Sequence, residues 1–288
     1  MLDYFTHKFN PDNFVLAMTI LVKNEHDIIE SNIRTHAKLG VDAFVVMDNG
    51  STDGTRDILE KLSNEFEMTI IDEKGPYQQK KFMTRLAFEA KKIYKADWVI
   101  NNDADEFWIP KNSKTLKEVL NFKGGVVWVH RSNMSLYEGL THWSEAKYFT
   151  ANQVHYRVGE PNIILGKIGR KVIVNPYGLF QINSGNHSAE HIAFWKKQEC
   201  EDIHIYHYPI RSYEQFETNI KNRKVLLDTV PNVKMGNHYR RWVKIYEDSE
   251  LEEEYKRFLF KNEEIEFLKR IGILRVTEVS KELFIENR

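Results

Sequence analysis

An acidic motif carries the most specific chemistry in the sequence. Asp103, Asp105 and Glu106 follow the apolar run 98–100 within a few residues. Two carboxylates one residue apart at the end of a strand can serve a ribose hydroxyl and a hard divalent cation together. Acids this close repel one another unless a metal ion or a cationic ligand neutralises them. The motif therefore predicts a metal and nucleotide site, and the alternative is a solvated acidic turn.

A second polar cluster, DNGSTDG over residues 48–54, follows the apolar run 43–47. Its Asn-Gly pair favours a tight turn, and Asp53 is expected only to cap the next helix. Asp48 lies at the end of the strand, where a carboxylate can accept a hydrogen bond from a nucleobase N–H or a ribose hydroxyl. We favour this ligand contact for Asp48. The alternative is a side chain that only stabilises the turn.

The elements that must position these motifs alternate along the first hundred residues. The hydrophobic pattern predicts strands at 16–22, 43–47, 68–71 and 97–102, and helices at 25–39, after residue 53 and at 77–95. Further strands are predicted at 125–130, 171–174 and 203–208, and the chain turns helical from residue 213 onward. Alternating strands and helices predict an α/β fold with a mostly parallel, doubly wound sheet.

Composition and charge exclude several classes of protein. The chain has 288 residues, 42% of them hydrophobic and 29% charged, which is typical of globular domains. A net charge of −1 gives no electrostatic footprint for nucleic acid. The longest apolar run, 14–22, is too short to cross a bilayer, which takes about 20 residues, and its acidic flanks do not fit a secretory signal. The single Cys200 excludes an intramolecular disulfide, so we expect a cytoplasmic protein.

Four stretches in order resemble bacterial glycosyltransferases of the family 2 type, especially a subgroup with a D-x-D-E-F core. The stretches are LVKNEHDII, VVMDNGSTDGT, DWVINNDADEF and HYPIRSYEQF, and the resemblance covers roughly residues 15–225. It implies a GT-A (nucleotide-diphospho-sugar transferase) fold. Residues 1–240 would form the catalytic domain, and residues 241–288 a helical C-terminal extension packed on it.

The resemblance also implies ligands and their contacts. It implies a nucleoside-diphosphate sugar, most simply a UDP-sugar, with its ribose at Asp103 and Mn²⁺ or Mg²⁺ on Asp105. The residues it places near the base are Lys23, Asn24, Glu25 and Asp48. Gln79 and Arg85, in the lysine-rich segment 74–95, are the polar donors expected for the diphosphate or base. Most lysines of that segment are expected only to face solvent.

The resemblance assigns His207 to the metal site, because many GT-A enzymes complete the coordination with a C-terminal histidine. Imidazole is a competent ligand for Mn²⁺. The alternative is a half-buried, hydrogen-bonded histidine. Arg211 and Lys221 follow His207 and are expected to contact the departing phosphate.

The catalytic base is the part for which the sequence offers only candidates. An inverting transfer needs a carboxylate or imidazole near the acceptor hydroxyl. The polar loop 183–190 supplies His187 and Glu190, and the alternative is a polar surface loop with an Asx turn.

The predicted function is therefore metal-dependent transfer of a sugar to a hydroxyl, with inversion favoured over retention. A glycan or lipid-linked glycan is the expected acceptor, in surface polysaccharide or glycan synthesis, and peripheral association with the inner face of the membrane stays open. The rivals are a nucleotidyltransferase, which normally has a Gly-rich phosphate loop that the sequence lacks, and a non-catalytic nucleotide-sugar binding module.

Overall fold

The computed structural model describes residues 3–75, 78–122, 124–154, 163–194, 197–230 and 235–280. Up to residue 135 the elements are α1 (Asp3–Thr6), β1 (Leu16–Val22), α2 (Ile29–Lys38), β2 (Ala43–Asp48), α3 (Thr55–Leu62), β3 (Met68–Asp72), α4 (Gln79–Tyr94), β4 (Trp98–Asp103), β5 (Glu106–Pro110) and β6 (Val126–Ser135). The remaining elements are β7 (Tyr148–Thr150), β8 (Lys171–Val174), β9 (Leu179–Ile182), β10 (Ala189–His191), β11 (Lys197–His207), α5 (Tyr213–Thr229), α6 (Asn237–Glu247), α7 (Leu251–Lys256), α8 (Asn262–Arg270) and β12 (Leu274–Val276).

The chain divides into two compact units, which are described separately. The first unit comprises Met1–Arg131 and Gly169–Tyr206, and the second comprises Ser132–Ile168 and His207–Arg288. None of the helices within the described ranges is both long and apolar enough to cross a membrane.

The first unit is built on a sheet in the order β6-β8-β4-β1-β2-β3. β4, β1, β2 and β3 run parallel to one another, whereas β8 pairs antiparallel with both β4 and β6. In this register Leu21 of β1 lies opposite Asp103, and Val22 lies opposite Asp48. The two acidic strand ends therefore meet at one edge of the sheet, on either side of β1.

Burial explains why these strands are central. β1 and β2 are apolar and buried along almost their whole length, and α4 covers one face of the sheet. Small residues of α4, Ala87 and Ala90, join Ala17 and Val45 in this core. Such continuous apolar strands are typical of a parallel sheet covered on both faces.

The second unit contains α5 to α8 around an aromatic core. Phe216 of α5 packs edge to face on Trp242 of α6 and on Phe258, with ring centroids 5.2 and 5.5 Å apart. Leu136 and Ile164 belong to the same buried cluster. Beside it, β7 pairs antiparallel with β12 and with the end of β6.

Most predicted elements are found within a few residues of their expected positions, and the α/β class is confirmed. The predicted helix over 77–95 is observed from Gln79, and Tyr77 lies outside the described residues, as do residues 281–288 of the predicted extension. The short strands β5, β7, β9, β10 and β12 were not expected. The division into residues 1–240 and 241–288 stays a prediction.

Candidate functional site

The acidic motif forms a short turn at the carboxyl edge of the sheet. β4 ends at Asp103, β5 begins at Glu106, and Ala104 and Asp105 form the turn between them. Glu106 is fully buried, whereas Asp103 and Asp105 are partly exposed. The motif thus directs two of its three carboxylates toward the protein surface.

Asn32 holds this turn from behind. It is fully buried on α2, and its Nδ2 donates to the carbonyl oxygens of Ala104 and Glu106 at 2.8 and 2.9 Å. These two carbonyls belong to the residues on either side of Asp105. A single side chain therefore fixes the backbone on both sides of the predicted metal ligand.

The Asn32 side chain is itself held in a buried polar network. Its Oδ1 accepts a hydrogen bond from Asn102 Nδ2 at 3.0 Å, and Asn102 Oδ1 accepts one from the Trp108 indole at 2.8 Å. His36 Nε2 accepts from the backbone N–H of Trp108, while His36 Nδ1 lies 2.8 Å from the carbonyl of Asn32. Burial lowers the pKa of His36 to about 3, so the imidazole is neutral and serves as both donor and acceptor.

Ion pairs neutralise the other two acids of the motif, Asp103 and Glu106. Lys171, at the start of β8, has a side chain only 1% exposed, contacts the Asp103 carboxylate and lies 3.3 Å from Glu106. Arg131 pairs with the same Glu106 and donates to the carbonyl of Gly169 at 2.7 Å. Two cations of the chain thus balance the charges of Asp103 and Glu106.

This ion network reduces the negative charge that a metal ion would have to neutralise. Repulsion among three neighbouring acids was expected to require an external cation, but Lys171 and Arg131 already balance two of them. Sequence reasoning missed both residues. The sequence marks Lys171 only by its position as the first residue of the apolar strand β8. The pairs Val99↔Val174 and Ile100↔Ile173 fix the register of β8 on β4, and continuing this register brings Lys171 beside the end of β4.

The loop between β9 and β10 closes over this network. Asn186, fully buried and at φ 56°, donates from Nδ2 to Asp103 Oδ1 at 3.1 Å. Gln79, at the start of α4, accepts a hydrogen bond from the backbone N–H of Gly185 at 2.8 Å. Gln79 thus anchors this loop, and its contact with the ligand stays a prediction.

His187 follows Asn186 and is oriented by the backbone. Its Nδ1 lies 2.7 Å from the carbonyl oxygen of Arg170, so the neutral ring carries its proton on Nδ1 and leaves a lone pair on Nε2. The His187 side chain is exposed, but partial desolvation of its ring, together with the nearby charges of Lys171 and Arg131, lowers its pKa below the ordinary value. A neutral imidazole with a free Nε2 lone pair has the electronic state that a general base requires.

Glu190, the other candidate base, is an exposed residue of β10. It lies opposite Gln181 in the β9–β10 pair and contacts that side chain. This hairpin corresponds to the polar loop expected from the sequence.

The loops after β1 and β2 fix each other. The backbone N–H of Asn24 donates to Ser51 Oγ, and Asn24 Oδ1 accepts from the N–H of Thr52 at 2.8 Å. Glu25 donates from its backbone N–H to Thr55 Oγ1. Asn24 has a positive φ of 59°, and neighbouring Lys23 is exposed. The predicted base-binding segment 23–25 is therefore joined to the start of α3.

Asp48 is buried at the end of β2, and its Oδ1 accepts from both the N–H and the hydroxyl of Ser51 at 2.9 and 2.7 Å. These are the contacts of a turn-stabilising side chain, the alternative considered from the sequence. Asp53 was expected only to cap α3, but the N-cap residue is Gly54, and no side chain caps the helix there. Asp53 instead precedes the cap, and its Oδ1 accepts from both the N–H and the hydroxyl of Thr55.

Arg85 lies on α4 with its guanidinium 3.3 Å from Glu73, so its charge is met by a residue after β3. The structure brings together Asp103, Asn186 and Gln79 through the loop, but it records no direct contact of Arg85 with them. Arg85 as a donor to the diphosphate stays a prediction.

Three predicted residues lie in the second unit. His207 Nδ1 is 2.7 Å from Asn133 Oδ1 at the end of β11. Arg211 is buried, and its guanidinium donates to the carbonyl of Tyr208 at 3.3 Å. Lys221 is a half-exposed residue of α5 that pairs with Glu217 at 2.9 Å. Their ligand roles stay predictions.

The donor set bears on a metal ion. In the part of the chain that the structure describes, no three His, Cys, Asp or Glu side chains are grouped to hold a cation. Mg²⁺ commonly binds through one or two carboxylates together with substrate phosphates and water. The partly exposed Asp105 fits that mode, in which the cation binds with its phosphate ligand, and not a cage made of protein alone.

Comparison with known proteins gives one family match. The model described as Glycosyl transferase family 2 matches residues 19–173, which run from β1 into β8 and include the acidic turn and Lys171. No curated protein sequence matches the chain significantly.

Two solved structures illustrate the more distant likenesses. S. aureus TarS 1-349 is 16% identical, with 84% of this chain and 71% of that chain covered and a TM-score of 0.43. Glucosyl-3-phosphoglycerate synthase from Mycobacterium tuberculosis, in complex with Mn²⁺, UDP and glucosyl-3-phosphoglycerate, is 18% identical. Its match covers 42% of this chain and 45% of that chain, with a TM-score of 0.30.

Proposed function

The chain belongs to glycosyl transferase family 2, and from that premise we propose that it moves a sugar from a nucleoside-diphosphate donor, bound at the acidic edge of its first unit, to a hydroxyl acceptor. The family model covers residues 19–173 of 288, more than half of the chain. The predicted GT-A fold and glycosyltransferase class are confirmed by this membership.

One observation carries the proposed donor site. The strand register places Asp48 and Asp103 on either side of the last residues of β1, at the carboxyl edge of a parallel sheet. Ligands of open α/β sheets bind outside this edge. The loops that surround it are fixed by side-chain hydrogen bonds, so the site is largely formed before a ligand arrives.

Asp103 is the proposed partner of the donor's ribose. Its carboxylate is oriented by Lys171 and Asn186, yet the side chain stays 31% exposed. A fixed and partly exposed carboxylate accepts a hydrogen bond from a hydroxyl at a small entropic cost. Asp48 and the segment 23–25 are the proposed partners of the base.

Asp105 is the proposed residue for Mn²⁺ or Mg²⁺, which would bind together with the donor's diphosphate. Such a cation supplies electrostatic stabilisation of the leaving group when bound. The chain's own contribution is the rigid turn: Asn32 holds the carbonyls on either side of Asp105, which keeps its carboxylate at the sheet edge.

His187 is the proposed general base, ahead of Glu190. Its Nδ1–H donates to the carbonyl of Arg170, which leaves Nε2 to accept a proton from the acceptor hydroxyl. The same arrangement favours inversion, because a single displacement needs such a base. Analysis of the anomeric configuration of the product by NMR tests this point.

We further propose a UDP-sugar as donor and a glycan or lipid-linked glycan as acceptor, in surface polysaccharide or glycan synthesis in the cytoplasm. A binding screen tests the nucleotide of this proposed donor.

The screen is calorimetric titration of UDP, GDP, CMP and dTDP into the purified chain, with and without Mn²⁺. Binding of one nucleotide, strengthened by Mn²⁺, is the expected result. Failure of all four to bind in either condition would contradict the proposal. Binding followed by no turnover of the matching sugar donors would favour the binding-module alternative.

A further inference from the structure

Lys171 is an unusual residue for the interior of a protein. Lysine is almost never fully buried unless it is paired, and here its side chain is 1% exposed while that of Glu106 is 0% exposed. Its ammonium group also reaches Asp103, which is 31% exposed. The buried cation thus joins a buried acid to an acid that faces the surface.

Asn186, in the loop between β9 and β10, contacts the same carboxylate of Asp103. Its Nδ2 donates to Asp103 Oδ1 at 3.1 Å, whereas Lys171 contacts Oδ2. Each oxygen of Asp103 therefore has one fixed donor. Asn186 itself is held in place by its neighbours, since the N–H of Gly185 donates to Gln79 and the carbonyl of His187 accepts from the Trp128 indole.

Fixed donors on both oxygens leave the Asp103 carboxylate little rotational freedom. A carboxylate has about four lone-pair sites, so two remain to accept hydrogen bonds from a ligand. A group that is already oriented loses less entropy on binding than a mobile one.

We propose that Lys171 and Asn186 are positioning residues that lock the Asp103 carboxylate in the orientation required to bind the hydroxyl of a nucleotide's ribose. This inference deepens the proposed function and rests on it. Neither residue touches the ligand, and both act through Asp103.

A double-mutant cycle with Asp103 tests the inference. The nucleotide that binds the unaltered chain most tightly is titrated into Asn186→Gly, Asp103→Asn and the combined variant. Glycine suits position 186 because its φ is 56°. We expect Asn186→Gly to weaken nucleotide binding about tenfold in the otherwise unaltered chain. In the Asp103→Asn background, the same substitution should weaken binding less than about twofold.

Lys171 is tested in the same way, with a variant that removes its positive charge together with one negative charge. Lys171→Met alone leaves two acids, Asp103 and the buried Glu106, with Arg131 as the one cation of this network and can unfold the chain, so it is combined with Glu106→Gln. The double variant keeps Asp103 and Arg131 as one acid and one cation. We again expect nucleotide binding to weaken about tenfold. In the Asp103→Asn background, the same pair of substitutions should cause no such loss of affinity.

The controls are matched for backbone and for charge. Lys95→Gly places glycine at another position of positive φ, 56°, at the C-terminal end of α4. Lys117→Met with Asp42→Asn removes a remote ion pair of the same unit. Both are expected to bind nucleotide within about twofold of the unaltered chain.

Ribose hydroxyls give a second measurement. On the unaltered chain, the 2′-deoxy or the 3′-deoxy form of the nucleotide should bind about tenfold more weakly, and in Asn186→Gly that penalty should shrink below about twofold. A merely structural role would leave the penalty unchanged.

The outcomes separate the inference from the function on which it rests. An unaltered chain that binds no nucleotide contradicts the proposed function. An unaltered chain that binds, with losses that simply multiply in the combined variants or with an undiminished hydroxyl penalty, contradicts the positioning role alone.

Discussion

Among single residues, Asp48 raises the question whether a side chain that stabilises a turn also binds a ligand. Its Oδ1 accepts two hydrogen bonds from Ser51, and an asparagine oxygen could accept the same pair. We expect Asp48→Asn to change the free energy of unfolding by less than about 1 kcal/mol, while nucleotide affinity falls roughly tenfold or more, because an N–H would replace one acceptor oxygen.

Calorimetric titration and urea unfolding of Asp48→Asn measure these two effects separately. Asp53→Asn is the matched control, since Asp53 bonds Thr55 and His26 at the start of α3. Equal nucleotide affinity in Asp48→Asn and the unaltered chain would assign Asp48 to the turn alone.

At this scale the sequence identifies the residues at strand ends but not their partners. Asp48 and Asp103 were predictable because each directly follows an apolar run, and a parallel sheet brings such ends to one edge. Lys171 is 68 residues away from Asp103, and Asn186 is 83 residues away. Pairing at that distance depends on the tertiary fold, which periodicity does not encode.

At the scale of elements, α2 controls the acidic turn through one side chain. Asn32→Leu would leave the carbonyls of Ala104 and Glu106 and the amide of Asn102 without their partner. Because each unsatisfied buried polar group costs about 1–3 kcal/mol, we expect a loss of roughly 3 kcal/mol or more in the free energy of unfolding.

Urea denaturation of Asn32→Leu at neutral pH measures this loss. Asn64→Leu, at an exposed position after α3, is a control expected to stay within about 0.5 kcal/mol of the unaltered chain. A similar small effect for Asn32→Leu would mean that the turn does not depend on α2.

His36 in the same network predicts acid sensitivity. Burial lowers its pKa to about 3, against an ordinary value of 6.5, so below pH 6.5 the unfolded chain binds a proton that the folded chain excludes. The folded state is therefore progressively destabilised as the pH falls from 6.5 toward 3, by about 2 kcal/mol at pH 5 for this residue.

The comparison is between unfolding free energies at pH 7.5 and pH 5 for the unaltered chain and for His36→Gln. Glutamine does not titrate, and its oxygen can accept the N–H of Trp108. The variant should lose about 2 kcal/mol less than the unaltered chain over this interval. Equal losses would show that His36 is not the group that takes up the proton.

Long elements with a clear hydrophobic pattern were found where the sequence predicts them, as the apolar strand β1 and the amphipathic helix α4 show. β5, β9 and β10 are short, and their pairing partners are supplied by the fold, so no local pattern marks them. The hairpin of β9 and β10 matters most, because it carries Asn186 and His187 to the acidic turn.

At the scale of the whole molecule, the residues that form the core of the second unit predict where the chain cannot be truncated. Trp242, Phe258 and Leu268 lie beyond residue 240 and belong to the same buried core as Phe216 and Leu136. A chain that ends at residue 240 would expose that core. We therefore expect it to aggregate or to lose cooperative unfolding of the second unit.

Expression of residues 1–240, with residues 1–280 as control, gives the result by size-exclusion chromatography and thermal unfolding. The longer chain retains the described core and should behave as the full chain does. A monomeric, cooperatively folding 1–240 fragment would instead support the predicted boundary between a catalytic domain and a separate extension.

Metal-dependent turnover at Asp105 is the step on which the proposed reaction depends. The most direct measurement is nucleotide release from UDP-, GDP-, CMP- and dTDP-sugars, with Mn²⁺ and with a chelator, by the unaltered chain and by Asp105→Asn. We expect release from one donor, loss of that release with the chelator, and at least about a hundredfold lower rate in a normally folded Asp105→Asn. Release that is equally fast with the chelator, or undiminished in Asp105→Asn, would contradict metal-dependent transfer at Asp105.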